Sequence, residues 1–225
     1  MSVLEVVMSS TGLELKALRE KVTEIALSTE VAITGALKAV LDRDSELAKE
    51  IIRKDDNVDQ LENEIDQLAT EILTFTKPGV DDLRFTVTVM HTVPMIERIA
   101  DHAVNIAKHS LILNSQTELF QHRDLLTLGT VSKMMFRDSV DSLLMADAEK
   151  AHKTIERDDE VDHFYHSIYN DIVSVMERDT STIKRGAEML FIIKHFERIA
   201  DYSTNICEMA IYMVENRVIK HTHHS

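Results

Sequence analysis

The chain has 225 residues, of which only 5 are Gly, 2 are Pro and none is Trp. Strand-rich folds need more Gly and Pro in their turns, so this composition favours an all-α protein. A formal net charge of -14 repels phosphate backbones, which argues against a nucleic-acid partner and against broad adhesion to anionic lipid.

Apolar residues recur at helical spacing along nearly the whole chain, which predicts six long helices. The first begins between Val3 and Leu13 and ends at about Leu41, and the others span about 45–75, 82–113, 118–145, 148–176 and 181–218. Asp44 is the expected N-cap of the second helix, and the turn 77–79, Lys-Pro-Gly, ends it. The breaks are short, so sequential helices should pack as antiparallel neighbours.

The second half of the chain repeats the first. KDDNVDQLENEI, which starts at Lys54, matches RDDEVDHFYHSI, which starts at Arg157. ERIADHAVNIA at Glu97 matches ERIADYSTNIC at Glu197. Amphipathic helices share apolar spacing by chance, but they do not share an identical ERIAD string in the same order. We therefore predict a duplicated three-helix unit, with repeats at 1–114 and 115–225.

Each repeat carries two acidic pairs with a spacing of four residues, which places both members on one face of a helix. The pairs are Asp55/Asp59 and Glu97/Asp101 in the first repeat, and Asp158/Asp162 and Glu197/Asp201 in the second. The second and third helices run antiparallel on either side of their turn. This places Asp55 at the same height as Asp101, and Asp59 at the same height as Glu97. Both motifs lie at the edge of an apolar face. If these edges face each other, four carboxylates converge in a shallow site, giving two equivalent sites per chain.

Four converging carboxylates cannot all stay ionised without compensation, and multivalent cations would provide it. Carboxylate ligands suit Mg²⁺, Mn²⁺ or iron, with Zn²⁺ and Ni²⁺ as further candidates. The alternative is a solvated acidic stripe that is neutralised by bases such as Arg98 and Arg198. A metal-free helical scaffold that binds a basic partner would have every one of these sequence features.

The DD-x-x-D motif, the DDLR segment at 81–84 and the string ERIAD-x-x-x-N-I-A resemble the PhoU family of phosphate-uptake regulators. The duplicated layout extends this resemblance over nearly the whole chain. Ala100 and Ala200 replace the more usual Gly of the ERIGD string, and 181–184 matches DDLR poorly. The resemblance implies two tandem three-helix bundles in which the paired acidic motifs hold multinuclear metal clusters. The implied metal ligands are Asp55, Asp59, Glu97, Asp101, Asp158, Asp162, Glu197 and Asp201.

The resemblance also implies a non-enzymatic negative regulator of phosphate uptake and phosphate-regulon signalling. Its implied partners are the ATPase of a phosphate ABC transporter and a sensor histidine kinase. The implied form is a homodimer in the cytoplasm, which reaches the membrane only peripherally through those partners. The lone cysteine, Cys207, fits a reducing compartment, and neither a signal peptide nor an apolar run of about 18 residues is present.

Other functional classes have weaker sequence support. A ferritin-like di-iron enzyme needs Glu-x-x-His motifs on separate helices. Here Glu149/His152 and Glu160/His163 fall on one predicted helix, without equivalents in the first repeat. Cys207 takes the repeat position of Ala107 and is expected to be a buried, inert thiol. The tail at 221–224 carries three histidines that would capture Ni²⁺ or Zn²⁺, although a polar chain end is the simpler interpretation.

Overall fold

The computed structural model describes residues 3–119 and 123–216, with the side chains of 3–11 and 123 excepted. The histidine tail and the predicted helix end at 218 therefore lie outside the described residues. The α-helices are α1 (Val3–Leu41), α2 (Ser45–Arg53), α3 (Asp56–Phe75), α4 (Val80–Asn114), α5 (Arg123–Met145), α6 (Ala148–Ile155), α7 (Asp158–Arg178) and α8 (Ile183–Glu215). A short 3₁₀ turn, Thr180–Thr182, precedes α8. The prediction of an all-α protein with six helical segments is confirmed.

The second predicted helix of each repeat is interrupted at its acidic motif. In the first repeat, the Asn57 N–H donates to the Lys54 carbonyl at 3.2 Å and the Val58 N–H donates to the Asp55 carbonyl at 2.9 Å. These bonds span three residues instead of four, so the chain winds more tightly here than in an α-helix. The run of Asp and Asn residues has weak helix propensity, which explains the position of the break.

The start of the fourth predicted helix differs from the sequence-based boundary, and Asn216 ends α8. Residues 117–119 are not helical, so the start predicted at Glu118 is wrong, and α5 is described from Arg123 onward. At the other end, α8 stops at Glu215 because Asn216 adopts a left-handed conformation with φ 54°. Asn tolerates that conformation better than most residues, and it commonly ends helices in this way.

Matching caps begin α2 and α6. The predicted N-cap Asp44 is confirmed, because its carboxylate accepts from the N–H groups of Glu46 and Leu47, each at 3.0 Å. Asp147 caps α6 in the same way, accepting from the Lys150 N–H at 2.9 Å. The residue before each cap, Arg43 or Ala146, has φ 54°. The two repeats therefore make this turn with the same backbone conformation.

The helices form two bundles, α1–α4 and α5–α8, which meet through α4 against α8 and α1 against α5. Buried apolar side chains form one continuous core through both bundles. Removing this surface from water is the main contribution to stability. The division of the chain at residue 114 stays a prediction. Among the described residues, no helix is long and apolar enough to cross a membrane.

The contact between α4 and α8 is antiparallel. His102 on α4 faces His195 on α8, and His109, further along α4, faces Glu188, which is earlier in α8. Burial and the neighbouring rings of His102 and His109 lower the pKa of His195 to about 4. The antiparallel arrangement brings the ERIAD segments of the two repeats to the same height in the molecule.

Arg19 on α1 also connects the two bundles. Its Nη1 donates to the Leu144 carbonyl near the end of α5 at 2.7 Å. Its guanidinium carbon lies 3.8 Å from the centre of the Phe85 ring on α4. The hydrogen bond satisfies a carbonyl that has no partner within its own helix, while the ring contact adds a cation–π interaction.

Cys207 is fully buried in the core. Burial raises the pKa of its thiol to about 12. A thiol in this environment is rarely ionised near neutral pH, so it is a poor nucleophile. The prediction of a buried thiol is confirmed.

Candidate metal centre

The acidic motifs of the first repeat lie together across α3 and α4. Burial, followed by the negative charges of Asp101 and Asp59, raises the pKa of Asp55. Burial also raises the pKa of Glu97 to about 7, with further contributions from Asp101, Glu62 and Asp59. Asp55 is thus near Asp101, and Asp59 is near Glu97. These are the two pairs that the sequence analysis places at the same height on neighbouring helices.

Glu62 is a fifth member of this group that the sequence analysis did not identify. Its pKa is raised by burial and by the charges of Asp59 and Asp66. The available signal was its position three residues after Asp59, on the same side of α3. We define the first acidic cluster as Asp55, Asp59, Glu62, Glu97 and Asp101.

The first acidic cluster has little neutralising charge. In the described part of the chain, none of its five carboxylates forms an ion pair within 4.0 Å of a basic group. Arg98 lowers the pKa of Glu97 and Glu62, and Lys108 lowers that of Asp55, but burial and the neighbouring acids outweigh both bases. Asp55, Glu62 and Glu97 are half-buried, whereas Asp59 and Asp101 are exposed. The cluster is therefore a shallow site with excess negative charge.

We call the motif residues of the second repeat the second acidic cluster: Asp158, Asp162, Glu197 and Asp201. The two acids on α8, Glu197 and Asp201, have their own counter-ions. Lys194 Nζ lies 2.6 Å from Glu197 Oε1. Arg198 Nη1 lies 3.0 Å from Asp201 Oδ2. The other Glu197 oxygen, Oε2, is buried without a hydrogen-bond partner and lies 4.0 Å from Arg198 Nε. The prediction of two equivalent sites is therefore wrong with respect to charge. Glu197 and Asp201 of the second site are paired with bases, whereas, over the residues that the structure describes, Glu97 and Asp101 of the first are not.

Two substitutions between the repeats contribute to this difference. The position of Lys194 corresponds to Pro94 in the first repeat, which has no charge. The position of Glu62 corresponds to Tyr165 in the second repeat, which removes one carboxylate there. The first repeat thus has an additional acid on α3 and lacks the lysine that pairs with the ERIAD glutamate of the second repeat.

The donor chemistry of the first acidic cluster fits a hard cation. Its ligands would be carboxylate oxygens, which Mg²⁺, Mn²⁺ and Ca²⁺ prefer. However, no group of three or more His, Cys, Asp or Glu side chains among the described residues has the arrangement of a metal site. Binding would thus require these side chains to move together. The assignment of the eight motif residues as metal ligands stays a prediction.

An apolar cavity borders the first acidic cluster. It has a volume of 720 Å³, lies between α1, α2, α3 and α4, and reaches Asp55. Gly35 and Leu47 contribute to its wall. At the equivalent positions, the second repeat has Asp138 and Lys150, which form an ion pair of 3.1 Å. The two repeats therefore differ in the surroundings of the acidic motifs as well as in the motifs themselves.

The residues of the di-iron alternative do not converge. Glu149 is exposed and forms an ion pair of 2.6 Å with Lys153, its neighbour on α6. His152 Nε2 lies 3.6 Å from Glu215, near the end of α8. Glu160 and His163 are exposed at the start of α7, beyond the break. These contacts give no support to a buried di-iron centre.

Comparison with known proteins identifies the fold and the repeat. The PhoU domain model matches this chain twice, over residues 22–110 and 125–210. The chain belongs to the PhoU family. A phosphate-specific transport system accessory protein PhoU homolog from Clostridium acetobutylicum is 31% identical over 92% of this chain and 94% of its own length. The homolog of the same name from Aquifex aeolicus is 34% identical over 93% of this chain and 95% of its own length.

A solved structure of the family has the same overall fold. The phosphate transport system regulatory protein PhoU from Streptococcus pneumoniae superimposes with a TM-score of 0.87 at 30% identity. The match covers 93% of this chain and 99% of that protein. The two PhoU domains of the present chain therefore occupy the two bundles described above.

Proposed function

We propose that this PhoU-family chain is a regulatory accessory protein of a phosphate-specific transport system. In this proposal it restrains phosphate uptake and phosphate-regulon signalling when phosphate is plentiful. Its partners are the ATPase of the phosphate ABC transporter and a sensor histidine kinase, and its working form is a cytoplasmic homodimer. The names of the relatives from Clostridium acetobutylicum, Aquifex aeolicus and Streptococcus pneumoniae support the transport role.

The first acidic cluster is the observation that carries the mechanistic part of the proposal. Asp55, Asp59, Glu97 and Asp101 would hold a multivalent cation, with Mg²⁺, Mn²⁺ or iron favoured by the carboxylate donors. A bound cation supplies positive charge and coordination positions that a phosphate or a partner carboxylate can occupy. Glu97, with a pKa of about 7, would release its proton as the cation binds.

The regulatory role is tested by deleting the gene and measuring phosphate-regulon expression at high phosphate. Deletion should raise expression, and the wild-type chain should restore repression. The double variant Glu97→Gln, Asp101→Asn should not restore it, whereas Glu20→Gln, which removes an exposed acid outside the cluster, should restore it fully. Repression that survives deletion would contradict the regulatory role itself.

The cation is tested separately by metal analysis of protein that lacks an affinity tag. His221, His223 and His224 are replaced by Ser in every sample, because these residues could bind metal themselves. The double variant should then lose most of the bound metal. Unchanged metal content together with lost repression would favour the scaffold alternative, in which the acidic cluster binds a basic partner directly.

A further inference from the structure

Three histidines lie at the contact between α4 and α8, outside the acidic clusters. His102, from the first repeat, and His195, from the second, face each other with their Nδ1 atoms 3.0 Å apart. The centre of the His109 ring lies 5.7 Å from that of His195. Imidazole nitrogens from the two bundles therefore meet at one point of the interface.

The contact between the two Nδ1 atoms has a definite hydrogen-bonding requirement. An N–H···N bond needs one donor and one acceptor, so only one of the two atoms carries a proton. The other directs its lone pair at the shared proton. A metal ion that binds both nitrogens would take the place of that proton.

The distance is close to what such an ion requires. Zinc–nitrogen bonds of about 2.0–2.1 Å with tetrahedral angles place two ligand nitrogens about 3.3–3.4 Å apart. The observed separation is 3.0 Å. The two nitrogens thus need to part by a few tenths of an ångström, and each ring must turn by about 35° so that both lone pairs point at the ion. Both rings are partly exposed, so water can reach the remaining coordination positions.

A carboxylate holds the third histidine, His109, whose ring stacks on that of His195. His109 Nδ1 donates to Glu188 Oε2 at 2.6 Å. A carboxylate behind an imidazole is the usual support for a metal-binding histidine, because it fixes the ring and leaves Nε2 with the lone pair. His109 is therefore the nearest additional imidazole, although it is not needed for the pair.

The charges around His102 are mixed. Asp101 lies near the ring, but so do Arg198 and Arg98. General attraction for cations is therefore weak at this point, unlike at the first acidic cluster. An ion would be held by coordination to nitrogen, which borderline ions such as Zn²⁺ accept and Mg²⁺ does not favour.

We propose that His102 and His195 form a two-imidazole site for a borderline divalent transition-metal ion, which joins the two bundles of the chain. The site differs from the acidic clusters in its nitrogen donors, in its place at the α4–α8 interface and in its metal preference. It does not depend on the proposed regulatory function.

The test uses Zn²⁺ as the probe, in the full-length chain with His221, His223 and His224 replaced by Ser and with excess Mg²⁺ to occupy the acidic clusters. Zn²⁺ at a hundredfold excess over its Kd should raise the Tm by about 5–10 °C. His102→Gln and His195→Gln should each abolish the rise. The control His163→Gln, which changes an exposed histidine on α7, should retain it.

Nitrogen-15 NMR of the imidazole rings provides a measurement that does not depend on the folding of the variants. Zn²⁺ should shift the Nδ1 resonances of His102 and His195 together and with the same stoichiometry. Unchanged Nδ1 resonances in the parent chain would overturn the proposal. A Tm rise that persists in His102→Gln and His195→Gln would overturn it as well.

Discussion

Lys194 Nζ lies 2.6 Å from Glu197 Oε1, whereas Pro94 stands at the equivalent position beside Glu97. The same ERIAD motif is therefore neutralised in one repeat and left with excess charge in the other. Glu97 has a pKa of about 7 as a consequence of its burial and of the neighbouring acids. Duplication preserved the motif, but later substitutions changed its electrostatic surroundings.

Glu97→Gln should stabilise the protein near neutral pH. The folded-state pKa of about 7 exceeds the ordinary value of 4.5, so the folded state binds more protons than the unfolded state between these values. Stability therefore falls as the pH rises through this window. After allowance for solvent screening, we expect a gain on the order of 1 kcal/mol near pH 8 and almost none near pH 4. Urea unfolding at both pH values measures it.

Glu197→Gln is the matched control for this prediction. The substitution removes an ion pair with Lys194 instead of an excess charge, so it should destabilise the protein by roughly 0.5–1 kcal/mol near pH 8. Stability changes of the same sign in Glu97→Gln and Glu197→Gln would contradict the electrostatic difference between the repeats.

Pro94→Lys should convert the first repeat to the charge pattern of the second. A lysine three residues before Glu97 can pair with it as Lys194 pairs with Glu197. The pKa of Glu97 should then fall from about 7 towards its ordinary value, which carbon-13 NMR of the carboxyl group would follow. Pro94→Ala changes the backbone in the same way without adding charge, and it should leave the pKa of Glu97 nearly unchanged.

Lys194→Gln should increase the affinity of the second acidic cluster for Mn²⁺. The substitution removes a cation that a bound metal would otherwise have to displace from Glu197. A gain of about 1 kcal/mol corresponds to roughly fivefold tighter binding, which calorimetry can resolve. The control Lys153→Gln removes an exposed lysine paired with Glu149 and should have no effect. Equal affinities in all three proteins would exclude competition by Lys194.

The fold was largely predictable from the sequence because helical periodicity and duplication are strong, repeated signals. Asp44 capped its helix as expected, since an Asp before an apolar periodic segment is a local signal. The mirrored register of Asp55 with Asp101 also follows from local spacing and one turn. The break at residues 54–55 was missed because propensity and apolar periodicity gave opposite indications there.

The charge balance of the two sites was less predictable. Lys194 and Glu62 lie one turn from motif residues, but spacing alone does not say which way a long side chain turns. The pairing of His102 with His195 depends on how α4 packs against α8, a contact between repeats that no local pattern specifies. Sequence analysis therefore located the motifs, while packing determined their counter-ions.

Ala146→Gly should stabilise the protein by about 0.5 kcal/mol. Ala146 has φ 54°, where its Cβ causes strain that glycine lacks, and this gain exceeds the added entropy of the unfolded chain. Arg43 has the same φ, but its Nη2 donates to the carbonyls of Leu113 and Asn114 at the end of α4. Arg43→Gly should therefore destabilise the protein in the same thermal-unfolding assay.

Arg19→Ala should destabilise the protein by about 1–2 kcal/mol. The substitution removes the hydrogen bond to the Leu144 carbonyl and the contact with the Phe85 ring. Lys16→Ala, one turn earlier on α1, removes only an exposed ion pair of 3.7 Å with Glu20 and should change stability by less than about 0.5 kcal/mol. Equal effects in urea unfolding would mean that Arg19 does not stabilise the contact between the bundles.

The break between α2 and α3 gives the acidic motif a backbone contribution that an unbroken helix would not provide. Because α3 begins at Asp56, Asp55 and Asp59 lie at the positive end of a helix macrodipole. The break before α7 places Asp158 and Asp162 in the same way. Aligned peptide dipoles thus oppose the rise that burial and the neighbouring acids cause in the pKa of Asp55. The break therefore starts a new helix at the acidic motif of each repeat, so the acids lie where a helix macrodipole offsets part of their charge.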